Sequence, residues 1–128
     1  MIGTNAFNYI NVLDKAADAS LIRHEVISNN IANNNTANYK RKDVKFETYL
    51  KKELTGNESL DAKVANMNLS KLNSSIYTDS EELSYRYDGN NVDMEVEQAY
   101  SAENQIRYYQ LLSSMTEEFN RLRTVLQK

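Results

Sequence analysis

Two long apolar stripes, one near each end of the chain, are the feature that most restricts how this sequence folds. In both stripes, apolar or small side chains recur at alternating steps of three and four residues, which is the spacing of one face of an α-helix. The sequence therefore predicts two long terminal helices. The first stripe is Ile10, Leu13, Ala17, Ser20, His24, Ile27 and Ile31, and the second is Met94, Gln98, Ser101, Gln105, Tyr108, Leu112, Met115, Phe119, Leu122 and Leu126.

The composition and the signals at the ends of the stripes support this prediction. The 128 residues include no Pro and three Gly, so little interrupts a helix. After the first stripe, an Asn-rich run at 33–38 is expected to end the helix, because Asn tolerates the left-handed backbone conformation. Before the second stripe, Asp88-Gly89-Asn90-Asn91 predicts a turn followed by an Asn cap.

Residues 40–91, by contrast, show no clear helical or strand periodicity. Short runs at 74–78 and 83–87 are typical of strands or extended segments, but they hold too little apolar surface for a separate core. We predict an all-α fold in which the two terminal helices pack as a coiled-coil-like hairpin, with a small irregular, partly extended insert. The predicted organisation is an N-terminal helix and Asn-rich turn (1–39), a basic segment and insert (40–91) and a C-terminal helix (92–128).

Several classes of function are poorly supported by the composition. The chain has no Cys and one His, so we predict neither an enzyme nor a bound metal, cofactor or small-molecule substrate. A net charge of −3 gives no overall attraction to nucleic acid. No apolar run is long enough to span a membrane. The first residues also lack the pattern of a cleaved signal peptide.

Three local features that suggest chemistry have simpler interpretations. Asp79, Glu81 and Glu82 resemble paired catalytic carboxylates, but clustered acids on a polar segment usually form a solvated face. His24 lies on the apolar stripe, where a lone His is usually packed or hydrogen-bonded. The segment 88–93 resembles a calcium loop only superficially, because its Gly and its acidic residues have the wrong spacing. We assign catalysis and metal binding to none of them.

The segment 40–52 carries four more basic than acidic side chains. With the nearby rings of Tyr39, Phe46 and Tyr49 it offers a possible contact for nucleic acid or anionic lipid. Acidic residues inside the segment weaken its field, so we interpret it instead as a surface for salt bridges between subunits.

The segment from Ser28 to Lys40 resembles the N-terminal signature of bacterial flagellar axial rod and hook proteins, which usually reads A-N-N-I-A-N-x-N-T-P-G-Y-K. Here Ala37 and Asn38 replace the family's Pro and Gly, and Asn is well suited to replace Gly in a left-handed turn. The stretches 88–95, 102–108 and 119–126 are similar to the C-terminal region of the short rod subunits of this family. The residues that match the signature are Asn29, Asn30, Ile31, Ala32, Asn33, Asn35, Thr36, Tyr39 and Lys40.

The resemblance implies a structural subunit of the proximal rod of the flagellar basal body, which self-assembles through its terminal helices and transmits torque. It implies export by the flagellar type III apparatus without a cleaved signal peptide, and a place outside the inner membrane. The implied partners are further copies of the chain, a FlgC-like rod subunit and a FliE-like rod–ring adaptor. Phe46 and Leu50 match the F-x-x-x-hydrophobic pattern that such subunits present to the export gate, although residues four apart on a helix also pack together.

We expect assembly to bury the apolar members of both stripes. Two alternatives remain open: the stripes form an ordinary intramolecular core, or the chain is a soluble helical export adaptor or chaperone-like binding module. An adaptor forms a small complex of fixed ratio, whereas a rod subunit stacks or elongates. The predicted subunit-interface residues are Ile10, Leu13, Ala17, Ile27, Ile31, Met94, Tyr108, Leu112, Met115, Phe119, Leu122 and Leu126.

Overall fold

The computed structural model describes residues 3–80 and 86–127, without the side chains of residues 3–6. Its elements are α1 (Gly3–Ala32), β1 (Lys42–Lys45), α2 (Glu47–Leu54), α3 (Leu60–Asn66), a 3-10 turn (Leu69–Lys71), β2 (Ser75–Thr78) and α4 (Met94–Leu126). The prediction of a mostly helical chain with two long terminal helices is confirmed. Within these ranges, none of the helices combines the length and the apolar character needed to cross a membrane.

The two long helices pack against each other in antiparallel fashion. Because residue numbers fall along α1 while they rise along α4, the contacts between them define a hairpin that closes between Ala32 and Met94. These contacts are a hydrogen bond between Asn30 and Glu97 and a hydrogen bond between Ser20 and Asn104.

The face of α4 that is buried is rotated from the predicted stripe. Glu97 and Asn104 are buried, whereas Gln98 and Gln105 are exposed. The buried polar side chains are tolerated because they are partnered. Asn104 Nδ2 donates to the main-chain oxygen of Ser20 at 2.9 Å, and Ser20 Oγ donates to Asn104 Oδ1 at 2.9 Å. A periodicity of apolar residues does not reveal such pairs.

The insert between the helices is more ordered than the sequence indicates. β1 and β2 form an antiparallel pair in which Val44 lies opposite Ile76, and α2 and α3 lie between the two strands in the chain. The extended run predicted at 74–78 is therefore a strand. The all-α prediction was incomplete, because the fold also contains this small sheet. Most of the second predicted run, residues 83–85, lies outside the described residues.

The insert shares its core with the hairpin. Phe46 and Leu72 pack with Ala19 of α1 in a buried cluster. The insert has too little apolar surface to form a core alone. Its helices and strands are stable because α1 supplies part of the shared core. The partly buried residues around the cluster are Val12, Ala16, Tyr49, Leu50, Met67 and Leu69.

The start of α4 is capped differently from the prediction. The side chain of Asp93 accepts from the main-chain nitrogens of Glu95 at 3.0 Å and Val96 at 3.3 Å, so Asp93 and not an Asn is the cap. Asn90 and Asn91 are buried instead. They belong to a hydrogen-bond network that joins the end of α1 to the start of α4.

Candidate assembly site

A buried polar network, which we call the clasp, closes one end of the hairpin. It is formed by residues 29–42, Asp79 and 86–97. Asn30 lies at its centre and is fully buried. Asn30 Nδ2 donates to the Lys42 carbonyl at 2.8 Å and to Glu97 Oε2 at 3.1 Å, while its Oδ1 accepts from Lys42 N at 2.9 Å and Tyr39 Oη at 3.1 Å. One amide side chain thus joins α1, β1 and α4.

A buried ion network lies beside Asn30. Arg41 donates from Nε to Glu97 Oε1 at 2.6 Å and from Nη1 to Asp79 Oδ2 at 2.6 Å. Its guanidinium also lies 5.4 Å from the centre of the Tyr100 ring. Burial opposes the charge on Arg41, but the hydrogen bonds to both carboxylates outweigh it and raise the pKa of Arg41.

This network corrects the interpretation of the basic segment. Arg41 is buried and bonded within its own chain. The ammonium group of Lys40 likewise donates to the Gly89 carbonyl. Arg41 is therefore not available for a salt bridge to another subunit, whereas Lys42, Lys45, Lys51 and Lys52 remain exposed.

Asn90 pins the turn after α1 to the turn before α4. Its Nδ2 donates to the carbonyls of Asn33 at 2.8 Å, Asn34 at 3.0 Å and Thr36 at 2.9 Å, and its Oδ1 accepts from Val92 N at 2.7 Å. The Asn-rich signature therefore supplies the backbone acceptors for one buried amide. The chemical role of the signature in this chain is to hold the hairpin closed.

Two left-handed residues lie in contact within the clasp. Asn38 has φ 59° and Gly89 has φ 74°. Asn38 thus adopts the conformation expected where the signature usually has Gly. Asn38 N donates to the Asp88 carbonyl at 2.7 Å, and a Cβ atom on Gly89 would lie 2.7 Å from Asn38 Oδ1. The left-handed backbone at position 89 therefore favours glycine, and a Cβ there would also displace the Asn38 side chain.

The residues considered for chemistry show no catalytic arrangement in the described ranges. Asp79 is an ion-pair partner of Arg41, while Glu81 and Glu82 lie outside the described residues. His24 is exposed on α1 and not packed against the core, and it has no assigned chemistry. Within residues 3–80 and 86–127 there is no group of three or more His, Asp or Glu side chains suited to a metal ion.

One side of the hairpin, which we call the insert side, is covered by residues 42–79. Glu47 of α2 bridges both long helices there, with Arg23 of α1 at 2.5 Å and Arg107 of α4 at 2.5 Å. The hydrogen bond from Arg23 is the main cause that lowers the pKa of Glu47 from 4.5 to about 2. Arg23 and Arg107 therefore mark the insert side of each helix.

On the opposite side of the hairpin, the described residues leave several large apolar side chains exposed. Leu21 and Tyr109 each lie two positions from one of these arginines, which places them about 200° around the helix from the insert. Leu112 and Phe119 continue the same side of α4. We call this surface the bare side, and it consists of Phe7, Leu21, Tyr109, Leu112 and Phe119, whose side chains are 55%, 50%, 60%, 38% and 50% exposed.

The structure divides the predicted interface residues into three groups. Ile10, Ala17 and Ile27 are buried in the chain's own core, so a neighbouring subunit does not reach them in this conformation. Leu112, Phe119 and Leu126 are exposed. The partly buried residues are Leu13, Ile31, Met94, Tyr108, Met115 and Leu122.

The predicted interface residues do not include Phe7, Leu21 and Tyr109 of the bare side, although Tyr109 belongs to a row that flanks the second stripe. Phe7 and Leu21 are fourteen residues apart, which on a helix places them on one face beside the first stripe. This second apolar row is visible in the sequence and indicates another apolar face on the first helix. Acidic residues at Asp14 and Asp18 within the row obscure it.

Phe46 and Leu50, the predicted export-gate pattern, pack into the fold. Phe46 is buried in the cluster with Ala19 and Leu72, and Leu50 packs beside it. The alternative in which the two residues pack together inside the fold is the one observed, with Phe46 at the cap position just before α2. In the folded chain the Phe46 ring is not exposed for recognition.

The chain is similar to known proteins of one kind. Residues 10–40, which include the signature, match the family described as "Flagella basal body rod protein". The flagellar basal body rod protein FlgB of Bacillus subtilis (strain 168) is 38% identical over 118 residues, covering 91% of this chain and 92% of the relative.

More distant relatives have the same name. FlgB of Escherichia coli (strain K12) is 32% identical over 114 residues, covering 82% of this chain and 83% of the relative. FlgB of Borreliella burgdorferi is 29% identical over 119 residues, covering 85% and 88%. The similarity extends over most of the chain, beyond the signature. The chain belongs to the family of flagellar basal body rod proteins FlgB.

Proposed function

We propose that the chain assembles through its bare side into the proximal part of the flagellar rod, where it transmits torque. The family is one of structural rod proteins, so the chain is a structural rod subunit of the basal body and not an enzyme. Its position within the rod, its self-assembly and its mechanical role are the parts we propose.

The bare side is the observation that carries this proposal. Five large apolar side chains lie on one side of the hairpin and are between 38% and 60% exposed. Large apolar side chains that stay exposed together on one side of a fold are typical of a site where another protein binds. Covering the exposed half of each side chain stabilises an assembly by about 1 kcal/mol per residue.

The shape of the hairpin supports a mechanical role. Its two helices of 30 and 33 residues lie side by side, and the clasp ties them together at one end. Subunits that pack such hairpins lengthwise share many modest van der Waals contacts along the helices. A twisting load then passes along the helices, while the insert remains to one side.

The neighbours and the route of export are also proposed. As a basal body rod protein, the chain associates with other rod proteins; we propose further copies of itself, a FlgC-like subunit and a FliE-like adaptor. We also propose that it reaches its place outside the inner membrane by the flagellar type III apparatus, without a cleaved signal peptide. The names of the relatives favour a rod subunit over a separate export adaptor.

Charged substitutions on the bare side test the proposal. Leu112→Asp or Phe119→Asp, introduced in place of the natural copy, should stop rod growth and abolish swimming, because assembly would bury an unpaired charge. The purified variants should keep the helical circular dichroism of the parent, since both positions are exposed. Leu60→Asp is the matched control, because Leu60 is 56% exposed on α3, away from the bare side. Normal swimming of both bare-side variants would refute the proposal.

A further inference from the structure

We propose that the outer edge of β2 pairs with β2 of a second copy of the chain, so that two inserts join into one four-stranded antiparallel sheet. The contact uses the insert and leaves the bare side free, so it goes beyond the proposed function. Three observations carry it: the hydrogen-bond pattern of the small sheet, its half-exposed isoleucine, and the uncharged sequence of β2.

The register of the sheet shows which main-chain groups of β2 point outward. Asp79 N donates to the Arg41 carbonyl at 2.9 Å, so these two residues form a hydrogen-bonded pair across the sheet. Hydrogen-bonded and non-hydrogen-bonded pairs alternate along antiparallel strands. In the observed register Thr78 and Ile76 therefore belong to non-hydrogen-bonded pairs. The N–H and C=O groups of both residues point away from β1.

The outer edge of β1 confirms this assignment. The main-chain groups of β1 that point away from β2 accept from or donate to side chains, at distances between 2.7 and 2.9 Å. The partners are Asn30 for both groups of Lys42, Arg23 for the carbonyl of Val44, and Asp43 for the nitrogen of Val44. The equivalent groups of β2 form no hydrogen bond within residues 3–80 and 86–127. The sheet thus has one occupied edge and one edge that is open to a further strand.

The apolar side chain on this edge is also uncovered. Ile76 lies directly opposite Val44, so the two side chains share one face of the sheet. Val44 is 3% exposed beneath α1, which contacts β1, whereas Ile76 is 56% exposed. The face is therefore covered over β1 and uncovered over β2. A strand added beside β2 would cover the isoleucine.

β2 lacks the features by which edge strands usually avoid pairing. These features are charged side chains, Pro and β-bulges. The strand Ser75–Thr78 contains no charged residue and no Pro, and its pairing with β1 continues without a bulge. β1, by comparison, carries two lysines and an aspartate in its four residues. The sequence of β2 is therefore suited to pairing with another strand.

A second β2 fits this edge. In the part of the chain that the structure describes, β1 is the other strand, and its outer edge is occupied. A two-fold axis at Tyr77 places Ile76 of one copy opposite Thr78 of the other, and each such pair forms two main-chain hydrogen bonds. Asp79 then lies opposite Ser75, so no like charges are directly paired. A shift by two residues would pair one outward residue with a position outside β2.

The symmetry of the contact determines what it forms. The same edge is used on both copies, so the contact is isologous and ends at a dimer. Few groups take part, and we therefore expect a weak, transient dimer. The bare side lies on the opposite side of the hairpin and stays uncovered in this dimer. Pairing through β2 and assembly through the bare side are therefore separate contacts.

Charges placed on the outer edge test the pairing. The Leu112→Asp chain is the reference, because this substitution disrupts the bare side. One variant adds Ile76→Glu and Thr78→Glu, and another adds Ile76→Lys and Thr78→Lys. Each alone should dimerise about tenfold more weakly than the reference in sedimentation equilibrium, because like charges meet across the axis. An equimolar mixture should dimerise at least as well as the reference, since opposite charges then meet.

A matched control separates this effect from a change in net charge. Thr48→Glu with Leu60→Glu, in the same reference chain, replaces the same types of residue outside β2. Leu60 and Ile76 are both 56% exposed, and Thr48 is exposed like Thr78. This control should dimerise like the reference. Circular dichroism should be unchanged in all the variants, because every substituted side chain is exposed.

Single cysteines test the register, because the chain has no Cys of its own. Tyr77→Cys in the reference chain should give a disulfide-linked dimer under mild oxidation. The two residues at the axis form a non-hydrogen-bonded pair with Cα atoms about 4.5 Å apart, which is within the range of a disulfide. Asn73→Cys is the control: it lies four residues from the axis, so its two copies are about 27 Å apart and should stay unlinked.

The results separate this inference from the proposed function. A reference chain that stays monomeric, a mixture that does not recover, or equal cross-linking of both cysteine variants would each overturn the pairing. If the Ile76 and Thr78 amides become protected from hydrogen exchange only when a different rod protein is added, the edge binds that protein and not a second copy. The rod function is decided separately, by the swimming of the Leu112→Asp and Phe119→Asp strains.

Discussion

Replacing Arg41 by Met tests how strongly the clasp stabilises the fold. The substitution keeps most of the side-chain volume and removes the guanidinium. Glu97 then loses its hydrogen bond at 2.6 Å and retains the one from Asn30 at 3.1 Å. The Glu97 side chain is 1% exposed, so its carboxylate depends on partners within the protein.

The expected loss is large. Removing one partner of a buried ion pair lowers the free energy of unfolding by about 3–5 kcal/mol, because the other charge stays buried without compensation. The free energy of unfolding of a natural domain is about 5–15 kcal/mol. Asp79 adds little to the loss, because its side chain is 18% exposed and water reaches it. Urea unfolding followed by helical circular dichroism at neutral pH measures the difference.

A second substitution identifies the cause of the loss. In the Arg41→Met background, Glu97→Gln should restore part of the stability, because a neutral amide is less costly to bury than an unpaired carboxylate. Arg121→Met is the matched control, because its ion pair with Glu118 is at 2.8 Å but the arginine is 71% exposed. That control should cost less than about 0.5 kcal/mol. A loss below about 1 kcal/mol for Arg41→Met, or no recovery with Gln, would refute the reasoning.

Three further substitutions probe other parts of the structure. Phe46→Ala should lower the free energy of unfolding by about 3–5 kcal/mol in the same urea titration, because it empties a buried site; a loss below about 1 kcal/mol would contradict the core position. Gly89→Ala should cost about 1–3 kcal/mol, because φ is 74° and the new Cβ would meet Asn38 Oδ1 at 2.7 Å; an unchanged urea midpoint would rule out that crowding. Glu47→Gln should be less stable than the parent at neutral pH, by under about 1 kcal/mol since the side chain is half exposed. Because Arg23 holds the pKa of Glu47 down, at about 2, this difference should be complete above pH 4.5 and close as the pH falls towards 2; a difference independent of pH would contradict it.

The long helices were predictable because their signal is local. Ile10, Ala17 and Ile27 follow one another along a single face, so the pattern is visible without knowledge of the partner helix. The rotation of the buried face of α4 was not predictable in the same way. Glu97 and Asn104 are buried because of Asn30 and Ser20, which lie 67 and 84 residues away in the chain. Polar pairs at such separations leave no periodicity.

The insert and the clasp escaped sequence reasoning for related reasons. The core of the insert joins Phe46, Ala19 and Leu72 from separate parts of the chain, and none of its elements is long enough to show a clear period. Arg41 looked like one member of a basic surface, because a run of charges does not show which of its members finds a buried carboxylate. The signature was recognised from its letters, but its role in closing the hairpin required the positions of Asn90 and Glu97.

The two strands of the insert are tied to each other where the insert begins and ends. Asp79 N donates to the Arg41 carbonyl at 2.9 Å, and the two side chains are paired at 2.6 Å. Extra residues added between these anchors would not shift the register of α1 against α4. Doubling the length of a flexible loop costs only about 0.6 kcal/mol in closure entropy. A longer exposed loop within the insert would therefore leave the pairing of the two long helices in place.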